Sequence, residues 1–124
     1  MFKLFTTLGS INALISVLLG AFGAHALKSR LSAEMMSIFE TGVQYHFYHA
    51  LGLLAIGIIA YHLPESGWLR WSGWLMFAGI LIFSGSLYIL STTGIKWLGA
   101  ITPIGGTAFI IAWVLLTVAI MKIP

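Results

Sequence analysis

The sequence predicts an all-α fold: an integral membrane four-helix bundle with a short interfacial amphipathic helix between spans one and two. Of 124 residues, 60% are hydrophobic and only 7% are charged, and the mean hydropathy is +1.03. Soluble domains carry about 25% charged residues, so this chain cannot coat a surface with charge, and lipid must be its main solvent. The apolar residues also fall into four stretches, each close to the roughly 20 residues a spanning helix needs. Together they leave only short connections, so residues 1–124 form a single transmembrane domain.

The first span covers residues 4–27 and is closed by Lys28 and Arg30. Lys3, an apolar run and Ala24-His25-Ala26 imitate a secretory leader. A leader's apolar core is only about 7–15 residues, however, and this stretch is longer. Thr6, Thr7, Ser10 and Asn12 also interrupt it, so an uncut span is expected. Ser16, Gly20 and Ala24 recur every fourth residue, with Asn12 one turn earlier, a face that lets a neighbouring helix approach closely. Residues 31–41 read as the interfacial helix, since Leu31, Met35, Ile38 and Phe39 alternate with Glu34 and Glu40. Ser32 suits its N-cap, and Glu34 suits its first turn.

The second span covers residues 42–63 and is ended by Pro64 and Gly67. The third, residues 68–90, opens on Trp68, Trp71 and Trp74 around Arg70, an interfacial anchor. Ser91, Thr92, Thr93 and Gly94 read as a turn. The fourth span, residues 102–121, is expected to begin with Thr102 as cap and Pro103 in the first turn, a start at Trp97 with a kink at Pro103 being the alternative. Lysine and arginine are evenly divided: Lys3, Arg70 and Lys122 on one side, Lys28, Arg30 and Lys96 on the other. Orientation therefore does not follow from charge.

Four spans bring His25, Thr41, Gln44, Tyr45, His46, Tyr48, His49, the Ser91–Thr93 turn, Thr102 and the Pro103–Gly106 segment into one half of the membrane, leaving His62, Glu65 and the interfacial charges in the other. Thr41, Tyr45, Tyr48, His49 and Gly52 share one stripe of the second span, with His46 beside it. Ionisable residues inside a membrane are costly and point to function, although groups near a helix end can hydrogen-bond one another or reach headgroups. With the second span starting at residue 42, His49 is expected one or two turns inside it. Gly105 and Gly106 are read as helix-packing positions like Ser16, Gly20 and Ala24, with an anion site at the start of span four as the alternative.

These residues exclude several chemistries. The chain contains no cysteine, which removes disulfides and thiolate ligands, and no aspartate. No nucleophile–base pair, phosphate loop or dinucleotide fingerprint is present, so no catalytic residues are assigned and a non-enzyme is expected. His46 and His49 could share an ion, but they lack the third ligand a metal site needs, so no metal or cofactor is assigned. The net charge of +3 is too scattered for nucleic acid.

The runs Gly20-Ala21-Phe22-Gly23-Ala24-His25-Ala26-Leu27, Thr41 to Leu51 (TGVQYHFYHAL) and Thr102-Pro103-Ile104-Gly105-Gly106 resemble the signature segments of an uncharacterised membrane family. The family is domain of unknown function 423 (UPF0382, the YgdD-like and YwdK-like proteins), and the likeness covers nearly the whole chain. It implies a multi-pass protein of the bacterial inner (cytoplasmic) membrane, and it brings no catalytic residues. The expected function is non-enzymatic binding in the polar half, with membrane lipids, a second copy or a partner membrane protein as partners. A small-solute transporter or channel, or a haem- or metal-binding redox protein, are the alternatives.

Overall fold

A computed structural model describes all residues, 1–124, and shows an all-helical chain. Four helices are long and apolar enough to cross a membrane: α1 (Phe2–Leu27), α2 (Ala33–His62), α3 (Gly67–Thr93) and α4 (Lys96–Met121). Local chemistry sets their ends. The Ser32 hydroxyl accepts from the Met35 N–H at 3.1 Å, so Ser32 caps α2 as the sequence suggested. Ser66 caps α3 in the same way through the Leu69 N–H. Gly94 ends α3 in the left-handed region at φ +75°, where a side chain would be strained.

Three expectations need correction. No separate interfacial helix exists: residues 33–41 are the opening turns of α2, which runs unbroken for 30 residues. Nothing between Phe39 and Gln44 breaks a helix, and Gly42 is held by packing against Leu87 and Tyr88. Ser91, Thr92 and Thr93 continue α3 instead of forming the turn; their hydroxyls are accommodated by bonding back to the Tyr88 and Ile89 carbonyls, and the chain turns only at Gly94. Thr102 is no cap: α4 opens with a 3₁₀ turn over Lys96–Ala100, Ile101 holds the N-cap position of its α-helical part, Thr102–Met121, and Pro103 lies in the first turn of that part.

The central pair is α2 and α3, with α1 lying along α2 and α4 along α3. The apolar core between them includes Leu53, Ile56, Met76, Ile80, Phe109 and Ala112. Near its start, α1 also reaches α3. There Phe5 covers Gly73 and meets Trp74 edge-on, with ring centroids 5.6 Å apart. The opposite face of α1, including Leu14, Val17, Leu18 and Phe22, stays more than half exposed and faces lipid.

Two π-helical turns re-aim side chains: Gly23–Leu27 at the end of α1 and Ile80–Ser84 inside α3. The second lies where α3 and α4 come closest. A Cβ on Gly105 would reach within 2.8 Å of the Phe83 Cα, and one on Gly79 within 3.2 Å of the Gly105 oxygen.

Candidate functional site

The main polar side chains inside the bundle form two histidine-centred clusters on adjacent faces of α2, since His46 and His49, three residues apart, are only about 60° apart around the helix. His46 faces α1 and α3. Its Nε2 lies 2.9 Å from Asn12 Oδ1, and its Nδ1 lies 2.8 Å from the Tyr88 hydroxyl. Asn12 Nδ2 donates to the Leu8 carbonyl, which turns Oδ1 toward the ring. Proton bookkeeping then fixes the chain: His46 Nε2–H donates to Asn12, and Nδ1 accepts from the Tyr88 O–H. Three helices are thereby joined by one directional network.

His49 faces α4. Its Nδ1–H donates to the Tyr45 carbonyl at 2.7 Å, and its Nε2 accepts from the Trp113 indole N–H at 3.1 Å. Both partners have fixed roles, since a carbonyl only accepts and an indole N–H only donates. The ring is therefore held as one neutral tautomer. It lies flat on Phe109, with centroids 3.5 Å apart and planes at 9°. Tyr45 packs on Phe83 beside it, with ring centroids 4.7 Å apart and planes tilted by 34°.

Both clusters lie deep. Along α2, His49 is about 14 Å from Glu40 and about 20 Å from His62, and along α1 Asn12 is about 14 Å from Lys3, so both clusters lie well inside the helices, away from their charged ends. The expected depth of one or two turns counts from residue 42; the helix itself runs back to Ala33, so His49 lies about four turns from its start. At this depth every polar atom must find a partner within the protein. All buried side-chain N and O atoms do so. Ser84 donates to the Gly42 carbonyl, Ser72 to the Ala112 carbonyl, and Ser86 bonds Thr102 at 2.6 Å.

The seven residues expected to share a polar pocket are therefore divided. His46 and His49 are buried but serve different interfaces. Tyr45 belongs to the His49 cluster. Thr102 is tied to Ser86, and the Thr41 hydroxyl returns to the Ser37 carbonyl. Tyr48 is 54% exposed toward lipid, and His25 is exposed on the last turn of α1. No group of three or more metal-capable side chains is assembled. An ion or haem iron ligated by His46 or His49 would have to displace a bond each ring already makes.

Among the packing positions, Ser16 and Gly105 are buried, Gly20 and Gly106 are half-buried, and Ala24 is exposed because the π turn rotates Gly23 inward under Phe39. The tightest α1–α2 approach lies elsewhere. A Cβ on Gly9 would sit 2.7 Å from the Leu54 nitrogen, and one on Gly57 would sit 2.6 Å from the Thr6 nitrogen. Sequence reasoning passed over Tyr88, Trp113, Ser84 and Ser86. Trp113 did carry a signal, since it interrupts the middle of an apolar span, far from the interface where tryptophan gathers.

Fold and site together define a small four-span membrane protein with histidines locked into its interhelical contacts. A profile of the family described as "Protein of unknown function (DUF423)" matches residues 19–106, and the chain belongs to that family. The chain is 56% identical over 120 residues to the UPF0382 membrane protein YwdK of Bacillus subtilis, covering 97% of this chain and 98% of that one. It is 51% identical to UPF0382 membrane proteins of Staphylococcus saprophyticus, covering 98% of this chain and 99% of the relative, and of Staphylococcus epidermidis, covering 97% of each. No solved structure matches it.

Proposed function

We propose that this is a non-enzymatic binding protein of the bacterial cytoplasmic membrane, and that it binds along the outer face of α1 and α2. One contrast carries the reading. The deep histidines are saturated by their own chain and present no free reactive atom. On the membrane-facing side, by contrast, Gln44 and Tyr48 are exposed beside a hollow of about 490 Å³ floored by Ser16, Gly20 and Ala21. A glutamine amide facing hydrocarbon is costly, and a bound molecule relieves that cost. The relatives' names as membrane proteins support the location.

A photo-reactive amino acid at Gln44 tests this. In intact cells it should give a discrete adduct, while the same probe at Ile110, which is 67% exposed on α4, should give only diffuse lipid labelling. Equal, diffuse labelling at both positions would overturn the reading.

A further inference from the structure

Three hollows on the α1–α2 face join into one groove. The outermost, about 370 Å³, is lined by Lys28, Leu31, Ser37 and Glu40. It shares Met36 and Glu40 with a smaller hollow of about 180 Å³, which in turn shares Gly20, Val43 and Gln44 with the third, about 490 Å³. The groove thus starts among charges at the membrane surface and continues inward over small and apolar side chains.

Its depth selects the occupant. From Glu40 to Tyr48 is about 12 Å of helix, close to the roughly 15 Å hydrocarbon depth of one leaflet. Beyond Ser16 the groove closes, because α1 and α2 come together at Gly9, Ala50 and Leu54. A spanning partner helix needs contact through both leaflets. A lipid needs only one.

The charges then select the headgroup. Lys28 and Glu40 line the same mouth, with Ser37 on the same wall. An ammonium side chain is a good partner for phosphate, and a carboxylate for a primary ammonium. An anionic glycerol headgroup offers Glu40 only neutral hydroxyl donors and no opposite charge, and a trimethylated one has no N–H to donate.

We infer that the α1–α2 groove holds one phospholipid whose headgroup carries both a phosphate and a primary ammonium, with the phosphate at Lys28, the ammonium at Glu40 and an acyl chain over Gly20, Val43 and Tyr48. This rests on the binding reading above and narrows it to a ligand class.

Native mass spectrometry of the full chain, released from bilayers containing equal phosphatidylethanolamine, phosphatidylglycerol and phosphatidylcholine, tests it. One phosphatidylethanolamine should be retained, in about threefold to fivefold excess over either competitor, the range a solvent-exposed ion pair supplies. Glu40→Gln should erase the excess over phosphatidylcholine. Lys28→Gln should weaken retention of all three, and Glu65→Gln, at the opposite membrane face, should change nothing. No preference in the parent protein, a preference that survives Glu40→Gln, or equal loss with Glu65→Gln would each overturn the inference. A discrete Gln44 adduct that proves to be a protein would also overturn the lipid while leaving the binding reading standing. Failure of both experiments removes both.

Discussion

At the scale of single residues, Asn12 and His46 do different work from what their sequence positions suggest. Asn12 reads as one more small polar residue in a helix-packing face, yet its amide sets the proton on His46 and, through it, the direction of the Tyr88 hydroxyl. Interhelical hydrogen bonds in membranes contribute about 0.6 kcal/mol on average and up to about 1.7 kcal/mol. Asn12→Leu also strands the His46 Nε2–H in an apolar site, a penalty of about 1–3 kcal/mol. The variant should therefore lose about 1–3 kcal/mol in reversible unfolding from mixed micelles. Combining it with Tyr88→Phe should cost less than the two single changes added, because both break one network. Strict additivity would show that the two bonds are independent. The histidines separate equally clearly. His49→Ala removes two hydrogen bonds and the stack on Phe109 and leaves a cavity, so a loss of about 2–4 kcal/mol is expected. His62 is exposed at the far end of α2, and His62→Ala should stay within about 0.5 kcal/mol of the parent. Equal melting of the two variants would remove His49 from the bundle's structural core.

Among the elements, the sequence disclosed the helices but not how they are phased. Apolar run length announces a span, and Ser32, Pro64 and Gly94 mark ends through local chemistry that a sequence carries. Interhelical register does not have a local signature. The spacing of Ser16, Gly20 and Ala24 pointed to a packing face of α1 without naming its partner; Ser16 is buried, but the π turn over Gly23–Leu27 rotates Ala24 outward, and no residue pattern announces a π turn. The histidines were legible as unusual, while their partners Asn12, Tyr88 and Trp113 come from three other helices and needed the packing to be known. The glycine contacts turn this into a ranking. At Gly20 a Cβ would meet only the tip of Val43 at 3.3 Å, and that side chain can yield. At Gly57 it would meet Thr6 backbone at 2.6 Å, which cannot yield without moving α1. Gly57→Ala should cost about 1–3 kcal/mol, as overpacking of a close interface does. Gly20→Ala should be nearly neutral, and Gly20→Leu should fall between them while filling the outer groove. Thermal melts in one detergent would rank the three, and a Gly20→Ala loss equal to that of Gly57→Ala would put the close approach at the wrong end of α1.

On the scale of the whole molecule, the same four antiparallel helices that bury the polar network also fix which ends of the chain share a compartment. The connections Lys28–Ser32, Leu63–Ser66 and Gly94–Ile95 are too short to recross a membrane, since about 20 helical residues are needed for each crossing. Met1, the Leu63–Ser66 turn and Pro124 therefore lie on one side, and the Lys28–Ser32 and Gly94–Ile95 turns lie on the other. This half of the topology was legible from run length alone, because each crossing is a yes-or-no event set by apolar length. Which side is cytoplasmic was not, because three positive residues flank each face and the electrostatic bias cancels. Reporter fusions at residue 1 and residue 124 should accordingly report the same compartment, and a tag inserted at Gly94 the opposite one. Opposite locations for the two termini would mean an odd number of crossings and would dismantle the bundle described here. The balance of charge adds a sharper expectation. If three against three is a true tie, the population should contain both orientations, and each tag should be found on both sides. Adding two lysines beside Lys3 should then drive that face to the cytoplasm in nearly all molecules, as the positive-inside rule requires. A parent protein whose tags each occupy one compartment would show that something other than lysine and arginine count decides the matter, with the α2 opening turns carrying Glu34 and Glu40 the first place to look.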